Sequence, residues 1–231
     1  MYKRKHHQVI EKLLTCFDRE YLSDNNIFFG GGTRIALELD EYRESVDVDF
    51  LCMNTPSYRA VRTQATNVSL GKLLLNKLNF VREIRMDRYA VRAFVEIDDV
   101  VVKLEFVALD DYQLTKSNGK LFQLPYINKQ SCFLTKLLAH SDRQYAPDKK
   151  DLFDLLMMFQ AWGLPTEATW QECDRHYGKA PKQDLLNALQ LLNTKPEQFI
   201  KAGKALAVDE QVTQTLLTKV SPKLFSVLSV K

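Results

Sequence analysis

The stretch that decides the fold is residues 27–49, IFFGGGTRIALELDEYRESVDVD, where an apolar run meets three glycines and later an acidic pair. Ile27–Phe29 is short and apolar, which predicts a buried strand. The glycines Gly30–Gly32 break that strand, and the apolar spacing after Thr33 predicts a short helix. Acidic and apolar side chains alternate over Val46–Cys52, which is typical of a further strand.

The acidic strand carries two carboxylates, Asp47 and Asp49, two residues apart. Residues at this spacing on a strand point to the same face, so the carboxylates project side by side while Val48 turns to the core. Like charges held this close repel each other and favour a cation between them. Oxygen ligands with open positions suit Mg²⁺, which binds carboxylates together with substrate phosphates. The residues alone leave open that the pair simply faces water on an edge strand.

The glycines before the helix are the second candidate feature. Gly31 and Gly32 allow the backbone to approach a ligand closely. The helix that follows, predicted to begin at Thr33, offers free N–H groups and a positive dipole end, which suit a phosphate. A tight turn with no ligand is the alternative.

A third carboxylate, Glu105, lies in the apolar run Val101–Val107. Tyr89–Ile97 and Val100–Leu109 are predicted to be strands joined by a hairpin turn at Asp98 and Asp99. A carboxylate in such a strand needs a partner or a metal ion. The alternative is a salt bridge with Lys103, two residues away on the same strand face.

The rest of the chain is predicted to be mostly helical. The first half reads as α/β and the second as almost all helix, with a boundary near Pro125 that divides residues 1–125 from 126–231. Trp162-Gly163-Leu164-Pro165 is a helix stop, with glycine just past the end and proline after it. The predicted helices cover 7–21, 56–78, 130–145, 148–162, 166–177, 181–193 and 208–219.

Bulk properties describe an ordinary globular chain of 231 residues with 45% hydrophobic and 26% charged residues and a net charge of +3. No apolar run is long enough to span a membrane, and the N-terminus lacks the apolar centre of a signal peptide, so the cytoplasm is the expected location. The four cysteines are far apart, which argues against a zinc site or a disulfide framework. His6 and His7 are expected in a frayed, solvated N-terminus.

Taken together, the strand, glycines, helix, Asp47-x-Asp49 strand and later strand with Glu105 resemble the polymerase β-like nucleotidyltransferases. More narrowly, the sequence is similar to the AbiEii/AbiGii toxin family, whose first motif matches Gly31-Gly32-Thr33 followed by Arg43-x-Ser45-x-Asp47-x-Asp49. Gly30 departs from that motif, where a larger residue is expected. The similarity continues in the second half of the chain. A helix that carries Lys136 leads to Arg143, and a K-D-x-x-D-L helix that carries Asp151 and Asp154 follows.

This resemblance implies an α+β fold: a polymerase β-like nucleotidyltransferase core, with a mixed sheet and flanking helices, followed by an all-helical C-terminal domain. It also implies site residues. Asp47, Asp49 and Glu105 match the three metal-binding acids, with two Mg²⁺ ions expected during catalysis and Mn²⁺ as a substitute.

The remaining implied roles concern the nucleotide. Backbone amides of Gly31, Gly32 and Thr33 are expected to hold the terminal phosphates, with a hydroxyl contact from Ser45. Lys136 is expected to neutralise charge on the triphosphate. For two residues an alternative stays open. Asp151 is required for activity or instead locks Lys136 or Arg143 in place, and Arg43 contacts the nucleotide or is a structural partner of the aspartates.

The function implied by the resemblance is transfer of a nucleoside monophosphate from an NTP to an acceptor hydroxyl, with the 3′ end of RNA or tRNA as one acceptor. The family also implies a toxin with a cognate antitoxin protein. A non-catalytic binding module of the same fold and a metal-dependent nuclease are the two alternatives. The sequence identifies neither the nucleotide nor the acceptor, and residues 165–231 match no motif.

Overall fold

The computed structural model describes residues 2–109 and 111–230. The chain divides into two compact units. The first, here called the sheet unit, contains the residues up to Glu38 and then Ser45–Asn128. The second, the helical unit, contains Leu39–Glu44 and the residues from Lys129 onward. The short segment Leu39–Glu44 thus belongs with helices that follow it by nearly a hundred positions, whereas the sequence suggested a single boundary near Pro125.

Six strands of the described residues form one mixed sheet in the order β1-β2-β6-β5-β3, with β4 paired to β5. β2 and β6 run parallel, and the other paired strands run antiparallel. The strands are β1 (Ile27–Gly30), β2 (Asp47–Cys52), β3 (Asn79–Phe80), β4 (Arg85–Met86), β5 (Ala90–Ile97) and β6 (Val100–Ala108). The predicted strands are confirmed to within one residue at each end, and the short strands β3 and β4 are additions.

The hairpin between β5 and β6 turns at the predicted place. Asp98 and Asp99 have φ of 50° and 59°. Positive φ at both central residues is the geometry of a two-residue hairpin turn whose twist matches the flanking strands, and aspartate is among the residues that tolerate it. This turn sets the register in which Arg92 lies opposite Glu105.

Helices flank the sheet within its own unit, and their bounds differ from the predicted ones. The predicted helix over 7–21 is two helices, because Asp18 begins the second by accepting a hydrogen bond from the Tyr21 N–H at 2.9 Å. The prediction of helix over 56–78 is wrong beyond Gln64, since Ala65 is extended and Gly71 has a φ of +53°. The helices are α1 (Lys5–Thr15), α2 (Arg19–Asp24), α3 (Gly31–Glu38) and α4 (Thr55–Gln64), with a 3₁₀ turn at Gly71–Leu73.

The core of the sheet unit is aromatic. Phe50 on β2 and Phe106 on β6 stack with ring centroids 5.0 Å apart, and Phe17 packs against Phe50 at 4.7 Å. Both strand phenylalanines are completely buried. Because side chains alternate along a strand, the residues next to each phenylalanine along its own strand turn to the opposite face of the sheet.

The helical unit after residue 128 is α-helical, as predicted. The stop after Trp162 is confirmed, with Gly163 at a φ of +83°. The helix over 196–205 was not predicted, although Pro196 at its first position is a recognised start signal. The helices are α5 (Lys129–Asp142), α6 (Lys150–Trp162), α7 (Glu167–Tyr177), α8 (Ala180–Thr194), α9 (Pro196–Ala205), α10 (Glu210–Thr215) and α11 (Ser221–Ser229), with a π-helical turn at Leu216–Val220.

The predicted α+β class, a mixed sheet with flanking helices followed by helices alone, is therefore confirmed. Among the described residues, no helix combines the length and the apolar character that crossing a bilayer requires.

Candidate active site

The acidic pair lies on β2 as the alternation predicted. Asp47 and Asp49 are half-buried, and Val48 between them is completely buried. Both carboxylates therefore project from the face of the sheet opposite the aromatic core.

The parallel pairing of β2 and β6 brings the third acid beside this pair. Asp49 is in register with Glu105, and Asp47 is in register with Lys103. Neighbouring strands lie about 4.8 Å apart, and residues in register point to the same face. Asp47, Asp49 and Glu105, here called the sheet acids, therefore occupy adjoining positions on one face of the sheet. Sequence separation alone does not reveal this register.

Glu105 is held by two cations on the same face. Lys103 is hydrogen-bonded to Glu105 Oε2, and Arg92 Nε donates to Oε1 at 2.7 Å. Arg92 in turn contacts Asp87 at 2.6 Å. The salt bridge with Lys103 is the one that the sequence offered as an alternative to metal binding, and Arg92 is a second partner that it did not reveal. A metal role for Glu105 requires exchange of at least one of these partners.

Gly31 is the residue that fits α3 against the sheet acids. Its φ is +70°, and a Cβ at this position would overlap the carboxylate of Asp49 and lie 2.8 Å from the Asp49 Cβ. Glycine is thus required twice, by the backbone conformation and by the close approach of Asp49. The helix begins at Gly31, two residues before the predicted start at Thr33. The N–H groups in the first turn of a helix have no partners within the helix, and such donors suit a phosphate.

Gly30, the departure from the family motif, is the last residue of β1. A Cβ there would lie 2.7 Å from the Cδ1 of Leu51 on the neighbouring strand. The missing side chain lets Leu51 cover β1, so this glycine serves packing in the sheet.

Thr33 and Ser45, both predicted nucleotide contacts, are buried and hydrogen-bonded to each other through their hydroxyls at 2.8 Å. The Thr33 hydroxyl also lies in hydrogen-bonding contact with the backbone carbonyl of Asp47. In this arrangement their side chains fix the start of β2. A hydroxyl contact from Ser45 to a nucleotide stays a prediction.

His7 extends this arrangement, although the sequence did not predict it. It is completely buried, and its Nε2 accepts a hydrogen bond from the Ser45 N–H at 3.0 Å. The expectation of a frayed, solvated segment is therefore wrong for this residue. The available signal was its spacing, because His7, Ile10 and Leu14 fall on one face of α1.

The predicted residues of the second half, Lys136 and Asp151, form a buried cluster in the helical unit. Lys136 Nζ lies 3.0 Å from Asp151 Oδ1 and 2.6 Å from Asp154 Oδ2. Arg143 adds a contact to Asp151 Oδ2 at 2.8 Å. Asp151 thus locks both Lys136 and Arg143 in place, which is one of the two roles considered for it. Whether it is also required for activity stays a prediction.

Arg43 completes the cluster from the segment Leu39–Glu44. Its Nε and Nη2 atoms bind the two oxygens of Asp154 at 2.7 and 3.0 Å, and the Tyr42 hydroxyl also donates to this carboxylate. The structure therefore gives Arg43 an aspartate partner, one that the sequence had not placed in the site. We call Arg43, Lys136, Asp151 and Asp154 the buried ion network.

Charge balance explains how the network tolerates burial. Asp154 is fully buried, which raises its pKa, but Arg43 and Lys136 outweigh that effect and lower the pKa to about 2. Burial lowers the pKa of Lys136, yet Asp154 and Asp151 outweigh it and leave that pKa above its ordinary value. Both groups are therefore charged across the physiological range, and each is neutralised by the other.

The sheet acids fit a Mg²⁺ ion by the chemistry of their donors. Among the described residues no three His, Cys, Asp or Glu side chains are gathered so as to hold a metal by themselves. Mg²⁺ does not need such a cage, since it is commonly bound by one or two carboxylates together with substrate phosphates and water. Asp47 and Asp49 offer that pair beside the glycine turn at Gly31.

A family model described as the nucleotidyl transferase AbiEii toxin of type IV toxin–antitoxin systems matches residues 12–222. This chain belongs to the AbiEii family. The match includes both the sheet acids and the buried ion network, and it confirms the family that the sequence motifs resembled. No curated protein matches the chain in sequence.

Two crystal structures from Helicobacter pylori share the fold of this AbiEii-family chain. One, provisionally assigned as a nucleotidyltransferase, has a TM-score of 0.59 at 17% identity and covers 96% of this chain and 97% of its own. The other, JHP933, has a TM-score of 0.58 at 16% identity and covers 100% of this chain and 96% of its own. At such low identity the similarity establishes the nucleotidyltransferase-like fold and leaves the chemistry to the residues.

Proposed function

We propose that this AbiEii-family protein is a Mg²⁺-dependent nucleotidyltransferase that moves a nucleoside monophosphate from an NTP to an acceptor hydroxyl. The observation that carries the proposal is the register of β2 and β6, which sets Glu105 beside Asp49 while Gly31 packs on the Asp49 carboxylate. Carboxylates on adjacent strands next to a glycine-led helix suit a triphosphate with its metal ion.

In the proposed reaction the acceptor oxygen attacks the α-phosphorus of the NTP. The bond from that phosphorus to the bridging oxygen of the β-phosphate breaks, pyrophosphate leaves, and the acceptor proton passes to solvent. Bound Mg²⁺ would lower the pKa of the acceptor hydroxyl and offset the charge of the phosphates. Asp47 and Asp49 would hold the ion, and Glu105 would be a ligand of a second ion if Lys103 or Arg92 released it.

The backbone of the first turn of α3 binds the terminal phosphates in this proposal, through the N–H groups of Gly31, Gly32 and Thr33. The side chains of Thr33 and Ser45 act indirectly, because their hydroxyls hold the start of β2. We assign Lys136 and Asp151 to positioning within the helical unit, since the charge of Lys136 is already neutralised by two carboxylates.

The acceptor we propose is the 3′ hydroxyl of an RNA, with tRNA as the first candidate. The family description also supports a biological role as the toxin of a type IV toxin–antitoxin pair. A cognate antitoxin protein is accordingly a proposed partner of this chain.

The test incubates the purified full chain with Mg²⁺, each α-labelled NTP in turn, and total cellular RNA. The variant Asp47→Asn/Asp49→Asn removes the acid pair, and Asp98→Asn/Asp99→Asn is its matched control, because it removes two carboxylates from the β5–β6 turn. We expect label in RNA and pyrophosphate release with the wild type and the control, and a loss of at least about 100-fold in the acid-pair variant.

Other outcomes contradict the proposal in distinguishable ways. Shortened RNA without incorporated label would identify a nuclease. Full transfer by the acid-pair variant would exclude these acids as metal ligands. If no label enters RNA but label enters an added protein extract or small-molecule fraction, the nucleotidyltransferase activity stands and the RNA acceptor is wrong.

A further inference from the structure

The helical unit contains a cavity of about 480 Å³ between α5, α6, α8 and α9. The residues that line it all follow Lys129, so it shares none with the sheet acids. Its volume lies within the range of about 300–1,000 Å³ that is typical of small-molecule sites. The lining residues on which the argument depends are His140, Lys149, Leu152, Asp184, Lys195 and Phe199.

His140 is the feature that distinguishes this cavity from a packing defect. Its side chain is 97% buried, since only 3% of the residue is exposed, and it lines the cavity. Its Nε2 atom has no hydrogen-bond partner among the residues that the structure describes. Buried polar atoms are nearly always hydrogen-bonded. This atom has almost no accessible surface in the structure, so a molecule in the cavity reaches it only after the imidazole ring turns.

The protonation state of His140 defines what it can bind. Burial lowers the pKa of the imidazole below its ordinary value of 6.5, although Asp151 and the backbone of Asp184 act in the opposite direction. The ring is therefore neutral near pH 7, with one nitrogen as donor and the other as acceptor. A neutral hydrogen-bonding group of the ligand, rather than a charged one, suits it.

The walls of the cavity combine apolar and cationic groups. Leu152 and Phe199 are buried and supply apolar surface, and Phe199 is fixed by stacking on Phe153 with centroids 3.8 Å apart. Lys149 and Lys195 supply two positive charges against the single negative charge of Asp184. The lining charge is thus positive, which favours an anion.

We propose that this cavity is a binding site for a small organic anion. Its aromatic or apolar body packs against Leu152 and Phe199, and its anionic group meets Lys149 and Lys195. A neutral polar group of the body hydrogen-bonds to His140 Nε2 once the imidazole ring turns toward the cavity. A nucleoside monophosphate and an aromatic carboxylate share this chemistry, and the experiment below separates them.

The site has a physical route to the buried ion network. His140 lies one turn after Lys136 on α5, and Lys149 and Leu152 flank Asp151 at the start of α6. A bound anion therefore contacts α5, which carries Lys136 of the network, and α6, which carries Asp151 and Asp154. Occupancy stabilises the folded helical unit by mass action, because the ligand binds the folded state.

The experiment is an NMR titration of the full chain labelled in its four histidines. The probes are AMP, GMP, CMP and UMP, the corresponding nucleosides, phenyl phosphate and benzoate. His140→Gln assigns the His140 ring signals. We expect a saturable shift of those signals with at least one anion. Saturation by nucleoside monophosphates alone identifies a nucleotide site, and saturation by phenyl phosphate and benzoate as well identifies a general organic-anion site.

Two variants test the location without touching the sheet acids. Ala188→Phe fills the cavity from α8 and should abolish the shift. Lys195→Gln should weaken binding by about threefold, as loss of one exposed charge contact does. Its control Lys201→Gln removes an exposed lysine of α9 that is not among the lining residues and should leave the affinity unchanged.

The proposal is overturned if none of the anions shifts the His140 signals. It is also overturned if the uncharged nucleosides bind as tightly as their phosphates, or if Ala188→Phe binds with unchanged affinity. Because Lys195 is exposed, its variant keeps the test valid even where the cavity-filling variant fails to fold.

Discussion

The sheet acids and the buried ion network are both carboxylates beside cations, but they differ in their access to water. The Glu105 side chain is 17% exposed and its partners Lys103 and Arg92 are 32% and 36% exposed. In the network, Asp154 is 0% exposed and Lys136 only 7%. Both clusters carry motif residues of the same family, yet their surroundings give them different properties.

The difference shows which carboxylates are available to a ligand. A partly exposed ion pair is worth little, so a metal ion or phosphate can replace one partner at small cost. A fully buried pair has lost its hydration, and removal of one partner leaves an uncompensated charge. We therefore expect ligand chemistry at the sheet acids and structural dependence at the network.

The largest effect on stability is expected for Asp154→Asn. The change leaves Arg43 and Lys136 buried with less than their balancing charge, so the free energy of unfolding should fall by about 3–5 kcal/mol. Urea denaturation measures it. Asp142→Asn on α5, whose carboxylate contacts the Tyr177 hydroxyl in an exposed position, is the matched control and should change stability by no more than about 0.5 kcal/mol. Similar losses in both variants would show that burial of Asp154 adds nothing to the cost of removing its charge.

The same carboxylate sets an acid limit on stability. Because the folded pKa of Asp154 is about 2 and its ordinary value is 3.8, its contribution is fully present above pH 3.8 and is lost as the pH falls toward 2. Wild-type stability should therefore decline through this window. The decline should be smaller in Asp154→Asn. An equal decline in the two proteins would contradict the attribution of this acid dependence to Asp154.

Gly31→Ala should affect stability and the sheet acids together. Positive φ costs a non-glycine residue about 1–3 kcal/mol, and the new Cβ displaces the Asp49 carboxylate. Gly178→Ala is the control, because Gly178 has a φ of +60° but a Cβ there would meet no described residue within 4 Å. Both variants should lose stability, and only Gly31→Ala should lose NTP binding at a temperature where both remain folded. If Gly31→Ala retained NTP binding, the turn at Gly31 would not be part of the NTP site.

His7→Phe tests the support beneath the start of β2. The Ser45 N–H loses its buried acceptor, so stability should fall by about 1–3 kcal/mol. His7→Gln places a carbonyl oxygen near the position of Nε2 and should recover most of the loss. Thermal denaturation compares the three proteins, and a larger loss in His7→Gln than in His7→Phe would show that ring packing, rather than the hydrogen bond, is what matters.

The smallest effect is expected for Lys103→Met, which removes one of the two cations on Glu105. The pair is partly exposed, so the loss of stability should stay below about 1 kcal/mol. A loss as large as that of Asp154→Asn would show that Glu105 is a structural residue and not an exchangeable one.

Much of the site could be predicted because it is local in sequence. The alternation at Asp47, Val48 and Asp49 predicts a strand with both carboxylates on one face, and the structure has that arrangement. The order of strands could not be read in the same way. The pairing of β2 with β6 depends on contacts between residues 56 positions apart, and only that register places Glu105 beside Asp49.

Two failures have identifiable physical causes. The apolar residues Leu70 and Leu73 mimic helical spacing, but they are buried by a loop and a 3₁₀ turn, where Gly71 takes a positive φ. Arg43 lies in the first-half motif, yet its partner Asp154 is 111 residues away. Tertiary contacts decided both cases, and no local pattern reports them.

The measurement that tests the central claim most directly is equilibrium dialysis of labelled NTP with and without Mg²⁺, since it requires no knowledge of the acceptor. The proteins are the wild type, Asp47→Asn/Asp49→Asn and the control Asp98→Asn/Asp99→Asn. The account predicts Mg²⁺-dependent retention of NTP by the wild type and the control, with loss of retention in the acid-pair variant. Equal Mg²⁺-dependent retention by all three proteins would contradict it.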